Sequence, residues 1–360
     1  MRENLRSWAW ETLLVALIVV AVIWSSALSP YFLDPVNLLS SAQTFVIFAL
    51  MAFGLFPIVV QGEIDISLPS TLAVSSVLLA HLSQAGVPLL AGLPVVLIVT
   101  AALGALNGVL VAGFGLPSLA VTLGTMGAYR GIAFILSGDS GIVGIRPDYL
   151  QLGTLWIGIV PATVILTIIA AGLFATLMSR TTFGRYTYAV GASARASRMA
   201  GVRVTRTRIG AYALAGAMAG LAGLVWIAQY QSARGDNADG TILFVLTAVV
   251  LGGVSIKGGS GRTTGVVLAL ILLATLQTGM QLANVPGTSQ TLVIGILLVG
   301  SIGIPRAIAL LRRQSRHSIL RTFRGDRTKP LTHSSGEATG HTALLPGDTV
   351  VPAGEHSKKG

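Results

Sequence analysis

Apolar residues gather into ten runs separated by polar breaks: Thr12–Leu28, Val36–Val60, Ile66–Leu82, Val87–Val111, Ser118–Leu136, Leu155–Met178, Ile209–Tyr230, Ile242–Ser255, Thr263–Ala283 and Ser289–Leu311. A helix needs about 20 largely apolar residues to cross a bilayer, so each run predicts a spanning helix. The chain thus reads as an all-α integral membrane protein of about ten transmembrane helices, with the lipid bilayer as its first partner. The third and eighth runs are short and adjoin polar stretches, which suits half-helices that end within the membrane. The first run is long for a secretory signal and nine more follow it, so it reads as a retained anchor.

Residues 1–311 form the expected transmembrane domain. Residues 312–360 are rich in Ser, Thr, Gly, Pro and His, a composition that cannot bury a core, and read as a disordered basic cytoplasmic tail. The arginines at its start (Arg312, Arg313, Arg316, Arg321, Arg324, Arg327) suit contact with anionic lipid, although a passive solvated tail is the simpler reading.

Composition agrees with lipid as the solvent. Hydrophobic residues make up 53% and charged residues only 10% of the 360, against about 25% charged in soluble domains. The 43 glycines suit close helix packing in a bilayer. A net charge of +11 would suggest nucleic acid in a soluble protein, but here the arginines cluster in two segments beside apolar runs, so no nucleic-acid partner is expected. No cysteine is present, and four of the five histidines (His317, His333, His341, His356) lie in the tail while His81 stands alone. No metal site, cofactor or catalytic residue is expected. A phosphate loop needs Gly, four residues, then Gly-Lys-Ser/Thr; between Gly253 and Gly258 the spacing fits, but Gly259 replaces the lysine. Any ATP hydrolysis must come from another chain, and the protein is not itself an enzyme.

Short loops rich in lysine and arginine stay in the cytoplasm. Segment 179–208 carries Arg180, Arg185, Arg195, Arg198, Arg203, Arg206 and Arg208 and no acid. With six runs before it and four after, both termini fall inside, and the acid-bearing loops 138–153 and 231–240 fall outside. The expected location is a bacterial inner membrane. An internal echo is also present: Gly108, Pro117 and Gly124 resemble Gly279, Pro286 and Gly295, each outer glycine pair 16 residues apart. The two turns then face opposite sides, as an inverted repeat of spans 2–5 and 7–10 would place them.

Segment 179–208 is far longer than a plain turn. Small residues at Ala192, Ala194, Ala196 and Ala200 suit a short helix that docks into another protein's groove, while a merely basic cytoplasmic loop would explain the arginines. The run TTFGRYTYAVGASARASRMAGV closely resembles the coupling segment of carbohydrate ABC importer permeases, the group that includes ribose, rhamnose and autoinducer-2 importers. Ile64-Asp65-Ile66-Ser67, Val121 to Thr125 with Arg130-Gly131, and Thr247 to Gly261 occur in the same order, so the resemblance spans roughly residues 30–310.

That resemblance implies a type II importer fold working as a homo- or heterodimer with a second permease subunit, beside an ABC ATPase and an extracytoplasmic solute-binding protein. It assigns Gly184, Arg185, Gly191, Ala192, Ala200 and Gly201 to ATPase coupling. The Glu-Leu-Asp pattern usual before the Ala-Val-Val-Gly-Gly run is absent; Ile242, Leu243 and Phe244 stand there. Either a partner subunit keeps the acids or the solute, a sugar or sugar-like molecule, needs none.

Charges at membrane depth are costly and mark function by default. Asp65 and Arg130 are the candidates for the translocation path, Asp65 with a capping role as its plainer explanation, Arg130 pairing with a distant carboxylate or lining the path. The rival class is a secondary transporter driven by an ion gradient, which usually holds coupling carboxylates in its bundle; runs four to ten have none.

Overall fold

A computed structural model describes residues 2–138, 140–301 and 303. The tail 312–360, and residues 302 and 304–311 of the final apolar run, lie outside the described residues. Helices occupy the apolar runs: α1 (Arg2–Leu28), α2 (Pro35–Val60), α3 (Leu68–Gln84), α4 (Leu89–Ala112) and α5 (Ser118–Ser137), then α6 (Pro147–Thr154). After a two-stranded ribbon of β1 (Trp156–Ile157) and β2 (Val160–Pro161) come α7 (Ala162–Arg180), α8 (Thr182–Ala192), α9 (Ala194–Met199), α10 (Val204–Tyr230), α11 (Ile242–Leu251) and α12 (Thr263–Leu282). A last short apolar helix, α13, covers Gly287–Ser301. Seven of these are long and apolar enough to cross a membrane: Trp10–Leu28 within α1, α2, α4, α5, α7, α10 and α12.

Helix α1 begins at Arg2, ten residues before its apolar run, and three further boundaries differ for reasons visible in the backbone or the sequence. Helix α7 begins at Ala162, not Leu155, because Gly158 turns the chain at a φ of +66° and β1 pairs back on β2. Helix α10 begins five residues before its apolar run, at Val204, so its first turns are polar. Helix α11 stops at Leu251, where the backbone turns at Gly253 with a φ of +86°, a conformation glycine adopts without strain.

Helix α2 is the axis of the molecule. Asp34 starts it by accepting from the Val36 and Asn37 backbone N–H groups at 2.8 and 3.3 Å, an N-cap worth about 1 kcal/mol. Every residue from Phe45 to Val60 except Phe48 is buried. Helix α10 is its main companion and packs on α2, α3 and α4. Against α4 the approach is backbone to backbone: a Cβ at Gly216 would collide with the Thr100 carbonyl, and one at Gly104 with that of Tyr212. Small residues that let helices approach this closely are the usual glue in a bilayer, where lipid removes the hydrophobic drive between helices. Gly216 and Gly220 are thus packing residues. Helix α1 lies outside, against α12, with Val19, Val20 and Ile23 more than half exposed.

The connections sort to two ends. At one end the Gly259 N–H donates to the Val60 carbonyl at 2.8 Å, the Tyr188 hydroxyl donates to the Gly261 carbonyl at 3.0 Å, and Arg262 pairs with Glu11 at 3.1 Å. At the other, Ile142 and Ala233 exchange backbone hydrogen bonds of 2.7 and 2.9 Å, and Arg146 donates to the Gly86 carbonyl at 3.1 Å.

Candidate functional site: a basic helical elbow and two buried polar anchors

The basic segment folds as two helices with a corner. Thr181 opens α8, its hydroxyl accepting from the Gly184 N–H at 3.3 Å. Ser193 then leaves helical geometry (φ −164°, ψ 103°) and its hydroxyl accepts from the Ala196 N–H at 3.2 Å, starting α9. Gly201, at a φ of +81°, ends α9.

The residues assigned to coupling fall into two groups. Gly184 and Gly191 are inward packing points: a side chain at Gly184 would collide with the Met178 backbone, and one at Gly191 with the Val60 carbonyl. Arg185, Ala192, Ala200 and Gly201 are exposed. The exposed face also holds Tyr186 and Met199, the latter 82% exposed. Neither was singled out in the sequence. A lone methionine within a small, basic run was the available signal for Met199, since such a soft apolar side chain suits a protein-binding face.

Asp65 faces no open space. It is 1% exposed, and its Oδ1 accepts from the Ser67 backbone N–H at 2.8 Å and the Ser67 hydroxyl at 2.6 Å. The Ser67 hydroxyl oxygen accepts in turn from the Asn107 amide at 2.9 Å, and the Tyr129 hydroxyl donates to Asn107 Oδ1 at 3.2 Å. Asp65 thereby shapes the turn into α3, with Pro69 in that helix's first turn. It lies between helices, in the 61–67 connection, where burial pushes its carboxyl up and the Ser67 bonds pull it down.

Arg130, on α5, is 17% exposed. Its Nη1 donates to the Gly235 and Asn237 carbonyls, both at 2.7 Å, and Nη2 lies 3.8 Å from Asp239. That carboxylate is 82% exposed, where water screens the pair; the two carbonyls do most of the holding. Backbone acceptors leave no mark in a sequence, so this partner could not be read there. The Asn237 amide donates to the Ser76 hydroxyl at 2.9 Å, and loop 231–241 is tied to α3 and α5 together. Two other carboxylates of this end sit below the usual range: Asp236 through Arg234, and Asp148 chiefly through the Leu89 N–H.

Where the acidic pair would stand, Phe244 is buried and packs on Phe45 and Phe48, with ring centroids 5.6 and 4.5 Å apart. The position is apolar core in this chain.

A bundle with seven candidate spans, tight glycine contacts and a charged helical corner is that of a multi-pass membrane protein. The family of permease components described as "Branched-chain amino acid transport system / permease component" matches residues 37–302, and the chain belongs to it. It is similar to autoinducer 2 import system permease protein LsrD of Photorhabdus laumondii, 33% identical over 320 residues that cover 87% of this chain and 96% of the relative. The Salmonella paratyphi A protein of the same name is 34% identical over 322 residues, 86% of this chain and 95% of that one. The Klebsiella pneumoniae counterpart is 34% identical over 320 residues, with coverages of 87% and 96%. No solved structure matches the chain. The protein is therefore the permease subunit of an ATP-binding-cassette importer, a transport subunit and not an enzyme.

Proposed function

We propose that the chain crosses a bacterial inner membrane ten times, both termini in the cytoplasm, and passes a small uncharged furanose or sugar-like solute inward. The solute class rests on the likeness to autoinducer 2 permeases. The ten crossings rest on the two-ended sorting of connections: segments 61–67, 181–203 and 252–262 meet at one end, and 140–145 and 231–241 at the other. For that sorting the short α3 and α11 must cross as well, while the crossing by α13 rests on the basic residues that follow it, which favour the cytoplasm. The inverted repeat is supported by matching neighbours, since α4 and α3 pack on α10 as α12 and α11 pack on α2.

The exposed α8–α9 corner is the ATPase dock, with Arg185, Ala192, Ala200 and Gly201 at the contact and Gly184 and Gly191 fixing its seat. Arg130 holds the outer loop at the mouth of the path, and Asp65 shapes its cytoplasmic wall. A second permease subunit completes the pore, and a solute-binding protein docks outside. The carrying observation is that a basic, small-residue corner is exposed while Gly184 and Gly191 lock it to α7 and α2. Proteoliposomes holding this chain with its candidate ATPase, partner permease and binding protein are expected to import autoinducer 2 only with ATP inside. Uptake driven by an ion gradient with this chain alone would favour a secondary transporter instead.

A further inference from the structure

We infer that the connection between α2 and α3, residues 61–67, carries movement from the α8–α9 corner into the helix bundle, with Glu63 and Arg208 as its positioning pair. The inference rests on the docking of an ATPase at that corner, proposed above.

The connection has two faces. On one it is packed on the corner and on the 252–262 turn: Gly191 of α8 lies against the Val60 carbonyl, which accepts the Gly259 N–H of that turn at 2.8 Å. The Gln61 amide adds a 3.5 Å bond to the Thr187 hydroxyl of α8. Nothing compressible separates these backbones, and packed interiors pass on displacement instead of absorbing it. Helix α8, the end of α2 and the 252–262 turn therefore move as one piece.

On its other face the connection grips three helices. The Ile64 N–H donates to the Ser118 hydroxyl and the Thr122 hydroxyl donates to the Ile64 carbonyl, both at 3.3 Å, at the start of α5. Ser67 meets Asn107 of α4. Glu63 pairs with Arg208 of α10 at 3.2 Å.

The link to α10 differs from the others. It is made by two long side chains, 16% and 23% exposed, and Arg208 Nε has no partner among the described residues. Such a pair is shielded enough to matter, unlike a surface bridge, yet it can break and re-form without unpacking backbone. Because α10 packs on α2, α3 and α4, its displacement reaches the centre of the bundle. Covalent continuity through α7 and α10 offers a competing route, and the test separates the two.

The chain has no cysteine, so paired spin labels can be placed at will. Tyr31→Cys and Asp239→Cys, 71% and 82% exposed, report the outer end of the assembled complex in proteoliposomes. ATP is expected to shift their separation in the otherwise native complex. Glu63→Gln and Arg208→Gln should each cut the shifted fraction at least about fivefold, a usual size for coupling between sites, with the ATPase still bound. The exchange Glu63→Arg with Arg208→Glu should restore it; if the exchange fails to assemble, Arg208→Lys, which keeps the charge, must retain the shift. A full shift in Glu63→Gln overturns the joint and leaves the importer reading intact. No shift in the native complex with ATP bound overturns both.

Discussion

Gly191 lies against the carbonyl of Val60 so closely that a single methyl group there would collide with it and with the Gly259 nitrogen. This contact seats the end of α8 on the end of α2. It also shows that Gly184 and Gly191 have a different task from the exposed small residues of the basic segment.

The two tasks can be separated by mutation. Gly184→Ala forces a methyl into the Met178 backbone, and overpacking of this kind costs about 1–3 kcal/mol. The expected outcome is a lower melting temperature in detergent and less assembled complex. Ala200→Trp adds a large side chain on an exposed position with ordinary backbone angles. It should leave the melting temperature of the isolated chain unchanged and reduce ATPase copurification at least about tenfold, about 1.4 kcal/mol. Normal copurification would remove Ala200 from the dock.

Arg130 anchors loop 231–241 through two charged hydrogen bonds of 2.7 Å. Each such bond contributes about 1.5–3 kcal/mol. Arg130→Met keeps the apolar stem and removes both donors, leaving two buried carbonyls unpaired. Amide exchange within 231–241 is expected to accelerate at least about tenfold, with α2 unchanged. Equal exchange in both proteins would mean that the Ile142–Ala233 pairing and the Asn237–Ser76 bond hold the loop without Arg130.

Asp65 tests a buried turn. In Asp65→Asn an amide oxygen still accepts from the Ser67 N–H, whereas Asp65→Ala leaves that N–H without its 2.8 Å partner. Losing a buried partner costs about 1–3 kcal/mol. The alanine variant should lose several degrees of thermal stability and the asparagine variant much less. If asparagine is as damaging as alanine, the negative charge itself is required, and a role in the path returns.

Much of this arrangement could be read from residues. Apolar runs of 17 to 25 residues located every long helix, because a span in lipid must satisfy its backbone within itself. The arginines of 179–208 marked the corner. Ends of helices were less legible: the β1–β2 ribbon before α7 depends on Gly158 adopting positive φ, and β-branched and aromatic residues beside it look apolar in either state. Whether Gly184 faces a partner or its own chain is a matter of rotation about α8, which no one-dimensional pattern contains. Arg130 was visible as a charge in an apolar run, but its partners are carbonyls about a hundred residues away.

Asp148 gives the outer end a pH dependence. Its Oδ2 accepts the Leu89 N–H at the start of α4 at 2.9 Å, and Oδ1 accepts from Arg146 at 3.0 Å. These bonds hold its carboxyl below the usual range, so the folded state binds the proton less readily than the unfolded chain. The stabilisation is then fully present above the unfolded pKa, about 3.9, and lost as pH falls through the lower folded value. Because Asp148 is 31% exposed on its side chain, solvent screens part of the effect. Amide exchange at Leu89 is expected to show protection, relative to the intrinsic rate, that is constant from pH 5 to 7 and declines below about pH 4. In Asp148→Asn, which presents a neutral oxygen at every pH, that decline should vanish. A native-like decline in the variant would assign the pH dependence to another carboxylate of the outer end, with Asp236 and its Arg234 partner next in line.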